Sequence, residues 1–315
     1  MKEIELIGKW RAREKHFLKE NGIITANVYD EDIHFLKDGK YEEIDNTLIE
    51  ENGYLVNKNN AYKVYFAKKS KDELMKINIG NNYIKTKLIY QKEVNVKENI
   101  IESKLHKNVC YPNIIENVDL EYNIMPGKVK EAIILKNKNV DLEKLVFLIE
   151  TNTKLELKEN KKIISTVDNN NCFEFDALYM IDANFKTNNN INYKLTKRDD
   201  DIYQLELIVD KEWLNNEETK YPVMIDPTIT NSGQNNSVYD TQITPGDDNE
   251  DWHATSERLR VGMIETTNGY QPIRALFKFD LPVIGTGSQI VTATINLIGY
   301  PENRYPVNSD WLTVH

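Results

Sequence analysis

The sequence predicts an all-β protein. Hydrophobic and polar residues alternate along many short runs, which is the pattern of strands that bury one face of a sheet. The pairs Asn21-Gly22, Asp38-Gly39 and Asn52-Gly53 separate such runs and favour tight hairpins. Seventeen Tyr and four Trp add to this preference for strands. We therefore expect helix in less than about a tenth of the chain, against a usual share near a third.

Residues 1–229 are predicted to form a β-rich region of hairpins and sandwich-like sheets. Two short helices are expected in it, at Lys71 to Met75 and at Lys211 to Asn216. Turn signals bound the predicted strands, which cover Ile23 to Tyr29, Asp32 to Leu36, Ala61 to Phe66, Tyr83 to Tyr90, Asp119 to Ile124, Lys128 to Leu135, Leu145 to Glu150, Leu155 to Leu157, Phe173 to Ile181 and Ile202 to Val209.

A change in composition predicts a second domain at residues 238–315. Only one Lys, Lys278, follows residue 232, and residues 230–237 form a polar stretch rich in Asn, Ser and Gly, which predicts an exposed linker. Alternation predicts strands at Arg274 to Pro282 and at Ile290 to Leu297, and another at Trp311 to Val314. We expect an incomplete jelly-roll-like β-sandwich, truncated at its C-terminus.

The second domain resembles a known module of bacterial surface proteins. Arg258 to Gly262, Arg274 to Pro282 and Ile290 to Leu297 together resemble the DNRLRE domain. The resemblance implies a jelly-roll-like sandwich related to carbohydrate-binding modules. It covers only the first half of such a domain, so we expect the chain to belong to a much longer protein.

Residues 1–229 resemble the N-terminal region of RHS/YD-repeat wall-associated proteins of Gram-positive bacteria. In that family a DNRLRE domain follows this region, and the same order occurs here. The resemblance implies a non-catalytic part of a cell-surface or secreted protein; the alternative is an assembly or docking module of a polymorphic toxin delivery shell. The matching segments are Lys15 to Leu18, Asn21-Gly22, His34 to Tyr41, Ile44 to Leu48, Asn117 to Tyr122, Val129 to Glu131 and Tyr221 to Thr228.

The sequence lacks the usual signatures of an enzyme. No nucleophile elbow, zinc-protease helix, phosphate-binding loop or dinucleotide-binding turn occurs, and the five His are scattered among unrelated segments. Paired carboxylates for glycoside hydrolysis are set by the fold and stay undecided at this point. We predict that the chain is not an enzyme and requires no cofactor.

Aromatic rings and arginines in the second domain predict a carbohydrate site. Sugar-binding β-sandwiches stack exposed rings on pyranose faces and hydrogen-bond the hydroxyls with polar side chains. Trp252 and Tyr270 lie in polar segments that we interpret as loops, and Arg258 and Arg274 point away from the apolar side of their strands. The alternative is that the rings pack against loops and the arginines pair with nearby acids.

The acidic loop of the second domain could bind calcium. Asp247, Asn249 and Asp251 alternate carboxylates and an amide, the oxygen ligands that Ca²⁺ prefers. The loop does not match an EF-hand, because Trp252 and Arg258 occupy the positions that need Gly and Glu. A solvated loop between strands is the alternative.

Charge and hydropathy limit the expected partners and location. A net charge of -10 counts against nucleic acid, since phosphate binding needs clustered Lys and Arg. No apolar run is long enough to span a membrane. Met1 to His16 lacks a signal peptide, whereas the resemblance implies a surface or secreted location. Cys110 and Cys172 have neither metal nor redox spacing. We expect glycan, or other domains of the longer protein, as partners.

Overall fold

The computed structural model confirms the all-β class. It describes residues 3–71, 73–142, 145–231, 238–243, 262–266, 269–279, 287 and 289–294. Strands account for 56% of the structure and helices for 4%, which is below the predicted tenth. The chain divides into two units, Met1–Leu281 and Pro282–His315.

Twenty-seven strands are present in the described residues. The first fourteen are β1 Glu3–Glu5, β2 Glu14–Lys19, β3 Ile24–Val28, β4 His34–Lys37, β5 Lys40–Glu43, β6 Asp45–Glu51, β7 Tyr54–Asn59, β8 Lys63–Ala67, β9 Met75–Ile79, β10 Asn82–Leu88, β11 Lys97–Asn99, β12 Lys107–Ile115, β13 Val118–Met125 and β14 Lys128–Leu135. The others are β15 Val146–Thr151, β16 Lys154–Leu157, β17 Ile163–Val167, β18 Asn170–Phe175, β19 Met180–Ile181, β20 Thr187–Asn188, β21 Asn192–Asp199, β22 Ile202–Ile208, β23 Val223–Ile225, β24 Thr228–Asn231, β25 Val238–Ile243, β26 Gly262–Thr266 and β27 Gly269–Phe279.

Two large antiparallel sheets form a sandwich. The eight-stranded sheet has the order β21-β22-β15-β10-β9-β8-β7-β6. The eleven-stranded sheet has the main path β11-β12-β13-β14-β24-β18-β17-β16, with β19, β20 and β23 beside it. One hydrophobic core contains residues of both sheets. The rings of Phe66 in β8 and Tyr122 in β13 lie 5.2 Å apart in this core, so the sheets pack face to face.

Asn-Gly and Asp-Gly pairs form the predicted hairpin turns. Asp38-Gly39 joins β4 to β5 with φ of 50° and 76°, and Asn52-Gly53 joins β6 to β7 with φ of 48° and 88°. Two consecutive left-handed residues match the twist of the strands that they connect, as in type I′ turns. The three-stranded sheet β1-β2-β3 and the hairpin β4-β5 precede the sandwich in the chain.

The short helix predicted at Lys211 to Asn216 is confirmed as α1, Lys211–Asn215. Its N-cap is Asp210, whose carboxylate accepts a hydrogen bond from the backbone N–H of Trp213 at 3.0 Å. The helix predicted at Lys71 to Met75 is wrong. Met75 begins β9 and is fully buried, because pairing with β8 and β10 and packing in the core outweigh local helix preference.

The second domain is described only in part. Strands β25, β27 and β26 form a three-stranded sheet in that order. The strand predicted at Arg274 to Pro282 is confirmed as far as Phe279, and residues 280–282 lie outside the described residues. The strand predicted at Ile290 to Leu297 is wrong over 289–294, where no strand forms and Ile290 is 62% exposed. Alternation alone does not make a strand, since a strand needs a hydrogen-bonded neighbour.

The predicted domain boundaries stay predictions. Thr230, the first residue of the predicted linker, lies in β24 and pairs with β14 and β18. Residues 232–237 lie outside the described residues, as does the strand predicted at Trp311 to Val314.

Candidate functional site

An open groove lies on the outer face of the eight-stranded sheet. Alternation along β8 turns Val64 and Phe66 into the core and leaves Tyr65 on the outside. The same alternation puts Ile84 inside and Tyr83 outside on β10. The groove has a volume of about 320 Å³ and is lined by Glu51, Asn52, Tyr54, Tyr65, Glu73, Lys76 and Lys85.

Strand register aligns the groove residues in a row across the sheet. Tyr65 lies directly opposite Lys76, Lys76 opposite Lys85, and Lys85 opposite Glu150. Side chains directly opposite in an antiparallel pair lie on the same face and close together. We call the surface formed by Tyr54, Tyr65, Glu73, Lys76, Tyr83 and Lys85 the tyrosine–lysine face.

The ammonium group of Lys76 lies between two aromatic rings. Its Nζ is 5.9 Å from the ring centroid of Tyr65 and 5.5 Å from that of Tyr83. Both distances lie within the range of a cation–π interaction. Tyr54 packs edge-to-face against Tyr65, with centroids 6.1 Å apart. In the described part of the chain no carboxylate forms an ion pair with Lys76.

The neighbouring Lys85 is neutralised by Glu150. The two form an ion pair at 2.9 Å, and Tyr83 donates a hydrogen bond to the same carboxylate oxygen at 3.2 Å. The hydrogen bond to Glu150 raises the pKa of Lys85, and the same bond lowers the pKa of Glu150. Lys85 is therefore held in place by an ion pair, whereas the contacts of the Lys76 ammonium with the described residues are these two rings.

Glu73 contributes a carboxyl group to the lining of the groove. Its Oε1 is buried, and neither a hydrogen bond nor an ion pair to this side chain occurs within the described residues. Burial raises the pKa of Glu73. The groove thus combines an unpaired acceptor, the unpaired donor of Lys76 and the rings of Tyr54 and Tyr65. This arrangement suits a flat ligand that stacks on rings and exchanges hydrogen bonds.

The structure places only part of the predicted carbohydrate site. Arg274 is exposed on β27. Tyr270 lies in β27 opposite Glu265, not in a loop as expected, because β27 begins at Gly269 and pairs with β26 there. The residues Trp252 and Arg258, and the predicted calcium ligands Asp247, Asn249 and Asp251, lie outside the described residues. The site therefore stays a prediction.

Sequence reasoning missed the tyrosine–lysine face. The segment Ala61 to Phe66 was predicted as a strand, but its outward Tyr65 was not singled out. A signal was present, since Tyr65, Lys76 and Lys85 each alternate with buried neighbours on adjacent hairpin strands. Their convergence required the register of three strands, which the sequence alone does not state.

Other chemical groups give no metal or membrane site in the described residues. No three His, Cys, Asp or Glu side chains there converge as metal ligands. No helix within those residues has the length and apolar character to cross a bilayer. Cys110 and Cys172 are buried free thiols, and burial raises the pKa of Cys110 to about 11.

The chain is similar to curated tRNA nucleases of Bacillus. It is 24% identical over 247 residues to tRNA nuclease WapA of Bacillus subtilis strain 168, covering 73% of the chain and 10% of the relative. It is 23% identical over 291 residues to tRNA3(Ser)-specific nuclease WapA of Bacillus spizizenii, covering 85% of the chain and 12% of the relative. The chain spans about a tenth of the length of the curated relatives it matches. No protein-family profile and no solved structure match it.

These relatives correct the prediction that the chain is not an enzyme. They are named nucleases, and nucleases are enzymes. The prediction relied on missing catalytic motifs, but the motif search covered a sequence that matches only 10% to 12% of each relative. Motifs in so small a share do not decide the activity of a whole protein. The expectation of no nucleic-acid partner rests on the net charge and on the lack of clustered Lys and Arg in the sequence, and it stays a prediction.

Proposed function

We propose that this chain is the β-rich region of an RHS-type surface or secreted toxin protein related to the WapA nucleases. We further propose that its tyrosine–lysine face binds cell-wall or extracellular glycan. The observation that carries the glycan proposal is the row of Tyr65, Lys76 and Lys85 on an open sheet, with Tyr54 and Tyr83 beside it. Rings on an exposed sheet offer planar surfaces for pyranose stacking.

The comparison with the relatives supports a role for this chain other than determining specificity for a particular tRNA. The chain is 24% identical to the tRNA(Glu)-specific nuclease WapA of Bacillus subtilis subsp. natto and 23% identical to the tRNA3(Ser)-specific enzyme. Proteins named for different tRNAs thus match it about equally well. A region shared in this way is suited to a task that both proteins need, such as attachment to a surface.

Binding to purified Gram-positive cell walls tests the glycan proposal. We expect the chain to sediment with the walls, and Tyr65→Ala and Tyr83→Ala each to weaken binding by about fivefold or more, equivalent to roughly 1 kcal/mol. Tyr90→Ala is the matched control, because Tyr90 is an exposed tyrosine outside the groove. Full binding by both the Tyr65→Ala and the Tyr83→Ala variant would refute the assignment to this face.

The same assay tests the predicted site of the second domain. If Trp252→Ala or Tyr270→Ala weakens wall binding and Tyr65→Ala does not, the glycan site lies in the second domain. Arg258 and Arg274 would then be the polar contacts to mutate next. Removal of calcium with a chelator tests whether Asp247, Asn249 and Asp251 hold an ion that this binding needs.

A docking role is the second candidate, favoured by one observation. Ile4, Leu18 and Ile24 lie directly opposite one another on the sheet β1-β2-β3, and Ile4 is 63% and Ile24 45% exposed. Exposed apolar rows of this kind suit contact with another protein surface. We expect the double variant with Ile4→Glu and Ile24→Glu to lose co-purification with the toxin delivery shell of the full-length protein. Unchanged co-purification would remove this candidate.

A further inference from the structure

We infer that the tyrosine–lysine face selects glycans built from N-acetylated amino sugars; this inference rests on the proposed glycan-binding function. An acetamido group has one N–H donor, one carbonyl acceptor and a methyl group, all lying in one plane. The groove offers a matching acceptor, donor and pair of rings. The acceptor and the donor of the groove also form no ion pair with the described residues, so both are available to a ligand.

The donor is Lys76. Its ammonium group has three N–H donors and no carboxylate partner in the described part of the chain, and its protein contacts are the rings of Tyr65 and Tyr83. Lys85 directly opposite is already paired with Glu150 at 2.9 Å. A ligand carbonyl that accepts from Lys76 therefore displaces no protein partner.

The acceptor is Glu73. Its carboxyl group lines the same groove and makes neither a hydrogen bond nor an ion pair within the described residues. Glu73 and Lys76 do not pair with each other, because their charged atoms lie beyond ion-pair distance. A ligand amide between them donates its N–H to Glu73 and accepts from Lys76. A sugar hydroxyl at the same position has only one oxygen with which to contact both Glu73 and Lys76, whereas the amide has separate donor and acceptor atoms.

The charge balance of the groove disfavours strongly charged ligands. Among the lining residues Glu51 and Glu73 accompany Lys76, and Lys85 is already paired with Glu150. RNA carries closely spaced phosphates and needs clusters of Lys and Arg without such acids. An uncharged amide keeps this balance. The methyl group of the acetamido unit can pack against Tyr54 or Tyr65, as apolar groups do on aromatic rings.

Two oligosaccharides with the same backbone test the inference. Chitohexaose and cellohexaose share β-1,4 linkages and differ at carbon 2, which bears an acetamido group in the first and a hydroxyl in the second. Titration calorimetry on the whole chain should give about tenfold tighter binding of chitohexaose, the value expected for two modest hydrogen bonds. Lys76→Met, which keeps the aliphatic stem, and Glu73→Ala should each reduce that preference by several-fold.

Controls separate this inference from the proposed function. Lys194→Met removes a lysine of the same sheet that is paired with Glu206 outside the groove, and it should leave the preference intact. Equal binding of both oligosaccharides, weakened by Tyr65→Ala, would overturn the inference and leave the proposed function standing. Binding to cell walls that is weakened by Tyr65→Ala, without binding of chitohexaose, would also overturn the inference and leave the proposed function standing. Failure to bind walls or either oligosaccharide, or binding of tRNA at this face, would overturn both.

Discussion

Two tyrosine pairs with nearly the same geometry occur in opposite environments. Between the sheets, the rings of Tyr111 and Tyr122 lie 6.3 Å apart at 89°, and both residues are fully buried. On the outer face, the rings of Tyr54 and Tyr65 lie 6.1 Å apart at 88°. Ring geometry therefore does not distinguish a buried pair from a pair on the outer face.

The polar neighbours make the distinction. The buried Tyr111 hydroxyl lies 2.8 Å from the backbone carbonyl oxygens of both Ala67 and Leu74, which share its one proton, and so links the two sheets. In the outer pair the ring of Tyr65 instead lies 5.9 Å from the ammonium of Lys76, which forms no ion pair with a carboxylate of the described residues. In the inner pair the Tyr111 hydroxyl is used within the protein, whereas the outer pair lies beside a cation that no described carboxylate pairs with. The comparison predicts large stability effects inside and binding effects outside.

Adjacent residues of β8 give the largest contrast. Phe66 is fully buried, so Phe66→Ala should lower the free energy of unfolding by about 4 kcal/mol through lost burial and a cavity. Tyr65 precedes it on the outer face, and Tyr65→Ala should lower the free energy of unfolding by less than about 1 kcal/mol. Urea denaturation of both variants measures the difference. Equal losses would show that the outer face is part of the core.

The pH dependence of stability tests the inner region next. Burial, with a smaller effect of Asp226, raises the pKa of Glu131 to about 7. Between the unfolded value near 4.5 and this folded value, the native state holds a proton that the unfolded chain has lost. Stability should therefore fall by roughly 3 kcal/mol as the pH rises from about 4.5 to about 7.

Glu131→Gln removes this titration and isolates its contribution. The difference in unfolding free energy between wild type and variant should shift by roughly 3 kcal/mol over the same pH interval and stay constant above it. Other titrating groups, such as His106 paired with Glu31, are common to both proteins and cancel in the difference. Parallel stability curves would contradict the assigned pKa of Glu131.

The sequence predicted the inner region better than the outer one. Alternation predicted β14 at its observed bounds, Lys128 to Leu135, because burial of one face leaves a period of two. The same signal failed at Ile290, where apolar residues alternate and no strand forms. Alternation reports which face could be buried, but pairing decides whether a strand exists.

The candidate site was harder to predict for a related reason. Lys76 and Lys85 lie nine positions apart and meet only because β9 and β10 form a hairpin with this register. Nothing in either strand alone shows that Lys85 is paired with Glu150 and Lys76 is not. Alternation with a period of two does place both lysines on the solvent side, but it does not give their partners on neighbouring strands.

The smallest expected effects on stability come from substitutions that remove one hydroxyl from each tyrosine pair. Tyr111→Phe leaves the carbonyls of Ala67 and Leu74 without their side-chain donor in the core, which should cost about 1.5 kcal/mol. Tyr54→Phe should change stability by less than about 0.5 kcal/mol, since no protein group accepts a hydrogen bond from the Tyr54 hydroxyl in the described residues. Matched thermal and urea unfolding of the two variants measures both values. A loss at Tyr54 as large as that at Tyr111 would show that the outer hydroxyl also holds the protein together, and the contrast between the two pairs would then fail.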